Sequence, residues 1–68
     1  MRAYSLMRPV FIGTYPSAYR VNEIVNFDRR TFVEEIGREA WGYVDFAEDV
    51  PEKDLSAYEM VAVREVPE

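Results

Sequence analysis

The sequence contains no cysteine and no histidine. Their absence removes disulfides, thiolate and imidazole metal ligation, a cysteine or serine nucleophile paired with a histidine base, and the histidine pH switch. A small secreted scaffold ordinarily carries several cysteines, so a reducing compartment, and with it a cytoplasmic location, is expected. Long apolar runs are missing as well. Arg8 and Pro9 cut the first apolar stretch short of a signal peptide's hydrophobic region. No segment reaches the roughly 18 apolar residues of a membrane span, so no membrane partner is expected. Repeats, low-complexity tracts and linkers are absent too, which leaves residues 1–68 as one expected domain.

What is present compensates for small size. A chain of 68 residues hides only about 60% of the surface it exposes when unfolded. Its apolar fraction is 49% and its aromatic fraction 15%, and each aromatic ring buries about 150–250 Å². The net charge of −5 divides unevenly, with +2 over residues 1–34 and −7 over residues 35–68. Seven of the eight basic residues are arginine, and Lys53 is the only lysine. Guanidinium groups suit stacking and two-pronged anion contacts, although coding bias produces the same composition.

Period-two alternation over Arg2 to Ile12 predicts a strand with Tyr4, Leu6, Val10 and Ile12 on one face, and Pro9 predicts an edge position or a bulge. Turn chemistry follows in Gly13-Thr14-Tyr15-Pro16-Ser17. A second strand is expected over Val21 to Phe27, with Val21, Val25 and Phe27 sharing a face. Asp28 as N-cap, Thr31 three residues before Glu34, and Phe32 or Val33, Ile36 and Ala40 at helical spacing predict a helix over about residues 28–40. Gly37 weakens that helix, and a strand pair over the same residues competes with it. Gly42 suits a helix C′ position, followed by a strand over Tyr43 to Ala47 with Val44 and Phe46 facing together. Pro51 suits the start of a short helix over about 51–57 with Leu55 inward. Tyr58 to Arg64 completes the set, and its apolar Met60-Val61-Ala62-Val63 predicts a central strand. The expected fold is α+β: a small, mainly antiparallel four-stranded sheet with one helix and a short helical turn. Were residues 28–40 a strand pair instead, a small SH3-like β-barrel would result.

No catalytic, cofactor or metal site emerges. Asp45, Glu48, Asp49, Glu52 and Asp54 are oxygen donors, but they lack the glycine, ligand spacing and distal glutamate of an EF-hand loop. A solvated loop at a helix start is the favoured account of them. Residues 13–17 lack the second glycine and the Lys-Ser/Thr pair of a phosphate cradle. Carboxylate pairs exist in any chain this acidic, and no nucleophile and base partnership can be named. The protein is therefore expected not to be an enzyme and to need no cofactor.

Arginine interleaved with aromatics in the first half (Tyr4, Arg8, Phe11, Tyr15, Tyr19, Arg20, Phe27, Arg29 and Arg30) could stack on single-stranded nucleic acid or simply cover a sheet face. The overall acidity argues against nucleic acid. Trp41-Gly42-Tyr43 carries hot-spot residue types, while a lone tryptophan also serves as a central packing residue. Arg8, Tyr15, Arg20, Arg29, Arg30, Trp41 and Tyr43 form the candidate interface. Its expected occupant is a protein, either a different partner or a second copy. Nucleic acid or another acidic ligand is the alternative, and a third role is an acidic inhibitor seated on a basic site of a nucleic-acid enzyme.

Asn26 to Gly37, Ala40-Trp41-Gly42-Tyr43-Val44-Asp45-Phe46 and Leu55-Ser56-Ala57-Tyr58-Glu59-Met60-Val61 resemble small uncharacterised proteins of gut bacteria. The resemblance spans most of residues 20–63 and implies an accessory role on a mobile element. It brings no functional residues with it.

Overall fold

A computed structural model describes residues 1–63. Four strands, β1 (Arg2–Ser5), β2 (Val21–Val33), β3 (Arg38–Phe46) and β4 (Met60–Val63), form one sheet in the order β2-β3-β1-β4. Every neighbouring pair is antiparallel. One helix, α1 (Glu52–Ala57), joins β3 to β4. The fold is α+β with an open sheet, so the SH3-like barrel is excluded.

Alternation along β3 sorts the two faces. Ala40, Val44 and Phe46 are buried on one face, and Trp41, Tyr43 and Asp45 point to the other, where they are half-buried. The first face holds the core of Ala3, Val10, Val44, Phe46, Val50, Leu55 and Met60. Leu55 of α1 roofs one side of it, with Pro51 placed just before the helix at φ −58°. Residues 6–20 roof the rest, supplying Val10, with Tyr15 and Tyr19 packed against the cluster. The loop is fastened to the sheet by Asn26, whose side-chain amide donates to the Val10 carbonyl (2.8 Å) and accepts from the Val10 N–H (2.7 Å). One side chain thereby does for Val10 what a neighbouring strand would.

The expected helix over residues 28–40 does not form. Those residues complete β2, turn at Glu34 to Gly37, and begin β3. Gly37 closes the hairpin at φ 66°, its N–H donating to the Val33 carbonyl at 2.9 Å. The helical stripe is split by this pairing: Ala40 is fully buried while Phe32 is 59% exposed. Thr31, Phe32 and Val33 favour extended backbone, and pairing with β3 outweighs a local capping pattern worth about 1 kcal/mol.

The first strand is also shorter than its alternation suggests. It stops at Ser5, whose hydroxyl donates to the Arg8 carbonyl at 2.6 Å and bends the chain. Val10 consequently joins the core opposite Tyr4, and Ile12 is 86% exposed. With Pro9 outside it, β1 is central rather than an edge, and β4 is the edge rather than central. The apolar run of β4 arises because Met60 and Ala62 meet the core while Val61 and Val63 lie across from Tyr4 and Arg2. Arg64, expected to end that strand, lies outside the described residues.

Gly42 sits in mid-strand, not at a helix end. A β-carbon there would collide with the Val25 carbonyl oxygen and with Asn26. Gly42→Ala is expected to cost about 1–3 kcal/mol of stability through overpacking. Urea denaturation should show a lower midpoint at unchanged slope. An unaltered midpoint would contradict the close β2–β3 approach.

Candidate functional site

The sheet face turned away from α1 is built from period-two positions of the two central strands. Arg2 and Tyr4 of β1 pair with Asp45 and Tyr43 of β3. The Tyr43 ring meets Tyr4 edge-on at 5.5 Å and Phe27 at 6.3 Å between centroids. Tyr4 and Phe27 are 6.5 Å apart, which closes a three-ring cluster. Offset and edge-to-face packing of this kind adds about 0.5–1.5 kcal/mol per pair beyond burial. Arg2 crosses the cluster, its guanidinium 4.0 Å from the Tyr43 ring centre while its Nε donates to Asp45 at 3.0 Å. That hydrogen bond to Asp45 holds the Arg2 pKa above its ordinary value.

A wide bulge in β2 shapes the hairpin end of this face. Asn26 pairs with Gly42 and Thr31 with Ala40, so residues 27–30 stand opposite Trp41 alone. Extra residues on one strand bend it and re-aim its side chains. The turn beyond brings Glu35 to the Tyr4 hydroxyl, which donates to it at 3.1 Å. Trp41, Phe32, Leu6 and Met7 line a shallow hollow of about 490 Å³ with Arg30 and Arg38 at its rim. Arg30 is paired with Glu39 at 2.9 Å. Phe32 and Met7 are both largely exposed.

The seven residues singled out from the sequence are dispersed. Arg30 and Trp41 share the hollow, and Tyr43 lies on the same face. Arg29 is exposed in the bulge. Tyr15 belongs to the opposite face, where it packs edge-on to Phe46 at 6.3 Å. Arg8 pairs with Glu59 at 3.0 Å beside the β1–β4 end. Arg20 is exposed, and its backbone N–H donates to Glu48 at 2.9 Å. Sequence reasoning missed Arg2, Phe32 and Arg38, and placed Tyr4 and Phe27 only in the arginine and aromatic set of the first half. Arg2 and Tyr4 alternate in step with Tyr43 and Asp45, a signal that only the β1–β3 pairing makes visible.

The acidic residues are spread rather than gathered. Asp45 bonds Arg2, Glu48 accepts from Arg20, and Asp54 accepts from the Tyr19 hydroxyl at 2.6 Å. Among the described residues no group of three or more acidic side chains is arranged to hold a metal ion. No helix among them is long and apolar enough to cross a membrane.

Two phenols tie this geometry to pH. Burial pushes the Tyr4 pKa above its ordinary value of 10, and Glu35 adds to the shift against the opposing pull of Arg2. The Asp54 acceptor raises Tyr19 in the same direction. A raised folded-state pKa contributes stability that is intact below about pH 10 and is lost as pH rises through the folded value. Melting temperature should therefore fall above pH 10. Tyr4→Phe should flatten that fall, and an unchanged alkaline profile in the variant would contradict the assignment.

No curated protein and no solved structure matches the chain significantly. A family match does exist and covers residues 1–65, the whole of the described sheet and helix. The chain belongs to the family described as defence against restriction A, C-terminal.

Proposed function

We propose that this chain is a non-catalytic protein-binding module that helps incoming DNA escape restriction. The family description supplies the restriction context, and the mobile-element role implied by the resemblance to small proteins of gut bacteria fits DNA that must enter a restricting host. The observation that carries the binding role is the apolar hollow at the hairpin end. Phe32 and Met7 expose large apolar surface there beside half-buried Trp41, with Arg30 and Arg38 alongside. Aromatic and arginine side chains around an apolar centre are the composition of interface hot spots. The rest of that face is occupied by its own packing, since the Tyr4, Phe27 and Tyr43 rings pack edge-on and tilted against one another. That packing favours docking of a protein at the hollow over stacking of nucleobases on the sheet.

A second mode has one specific observation behind it. Residues 45–59 hold six carboxylates against Lys53 alone. In this mode carboxylates of residues 45–59 contact a basic site of a nucleic-acid enzyme, and binding falls steeply with salt.

The test is plating of unmodified phage on a restricting host with and without the expressed chain. Plating is expected to rise, and Trp41→Ala with Phe32→Ser should abolish the rise while leaving the fold intact by circular dichroism. Truncating such anchors costs about 2 kcal/mol or more, roughly thirtyfold in affinity. Plating that the chain does not raise would overturn the role in restriction. A rise untouched by the double variant but lost on neutralising Glu48, Asp49 and Glu52 would favour the acidic mode.

A further inference from the structure

Among the described residues the outer edge of β4 is unpaired, and its surroundings define what fits there. β1 lies on one side of β4 only. The Leu6 N–H donates to the Glu59 carbonyl at 3.2 Å, which makes that a hydrogen-bonded pair in the β1–β4 register. Hydrogen-bonded and non-bonded pairs alternate along an antiparallel ladder. Tyr4 with Val61 and Arg2 with Val63 are therefore bonded pairs, and Ala3 with Ala62 and Ser5 with Met60 are not. The β1–β3 side agrees, because the Phe46 N–H donates to the Met1 carbonyl at 2.7 Å and assigns Ala3 and Ser5 to β3. It follows that the N–H and C=O groups of Met60 and Ala62 point away from the sheet. Among the described residues they have no partner.

A groove of about 660 Å³ runs along this edge. All four residues from Met60 to Val63 line it. Successive side chains of a strand point to opposite faces, so a groove touching all four must follow the backbone edge itself. Its walls rise on both sides, with Glu52 and Leu55 from α1 and with Glu35 and Arg38 from the β2–β3 hairpin. The edge carries no proline, lysine or bulge of the kind that blocks strand addition. The sign of its charge is negative. Glu59 also lines the groove but is paired with Arg8, which leaves Glu35 and Glu52 against Arg38.

We propose that the β4 edge accepts an extended, basic segment of a partner protein as a fifth strand. The backbone groups of Met60 and Ala62 hold the segment, alternate apolar side chains rest on Val61 and Val63, and the lysine or arginine side chains between them face Glu52 on the α1 side. Such strand addition draws affinity from main-chain bonds and specificity from alternate side chains. This surface extends the protein-binding reading above and adjoins the Trp41 hollow, with which it shares Leu6, Met7 and Arg38. Peptide binding can be read whatever the plating assay returns.

The probe is an acetylated octapeptide alternating valine with lysine and threonine, titrated into the labelled protein and followed by amide NMR shifts. Shifts are expected at Met60 to Val63 and not along β2. Replacing the lysines with glutamate, or methylating the two pairing amides, should each weaken binding by about tenfold. Ala62→Pro removes one outward N–H without touching the β1 ladder and should weaken binding similarly, with melting temperature as the check on folding. Three results would overturn the proposal: no binding, binding indifferent to amide methylation or to charge, or shifts confined to β2. A dimer by light scattering that Ala62→Pro dissociates would do so too, because the edge would then belong to a second copy.

Discussion

The structure depends on β1, four residues hydrogen-bonded on both sides. Pairing with β3 and β4 together fixes which way each of its side chains points. Ala3 and Ser5 are thereby sent to the core face, where both are fully buried. Arg2 and Tyr4 are sent to the other face. A slip of one residue would exchange the two sets, burying a guanidinium against Phe46 and exposing alanine and serine. Because a buried unpaired charge is far costlier than any local preference in so short a strand, the register is sharply defined.

That register lets a small chain do without a second covering layer. Among the described residues one face has α1 and the 6–20 loop for a roof, and the other has only its own side chains. Tyr4, Phe27 and Tyr43 close over one another there, and Arg2 bridges Tyr43 to Asp45. Apolar burial at about 25 cal/mol per Å² makes three packed rings a substantial substitute for a helix. The cover ends at the bulge of residues 27–30, and beyond it Phe32, Trp41 and Met7 line the open hollow. The packed rings and the hollow proposed for recognition occupy adjoining parts of the same face.

Much of this was legible in the residues, and the failures share a cause. Val44 and Phe46 read as a core pair because period-two alternation needs no tertiary knowledge. Pro51 and Leu55 announced the short helix for the same local reason. Residues 28–40 misled because Asp28, Thr31 and Glu34 mimic a helix start, while the partner that overrides them begins only at Arg38. The central position of β1 was hidden by Pro9, which lies just past the strand rather than in it. Of the candidate site, Trp41, Tyr43 and Arg30 were named from residue type alone. Phe32 and Arg38 were not, since their place at the hollow depends on a bulge that no spacing rule reveals.

Amide hydrogen exchange on the intact chain tests the central position of β1 most directly. Ala3, Tyr4, Ser5 and Leu6 should be among the slowest amides, with Val61 protected and Met60 and Ala62 fast, the alternation that a single bonded side of β4 imposes. Fast exchange throughout β1 with Met60 and Ala62 protected would place another strand beside β4 and contradict the account.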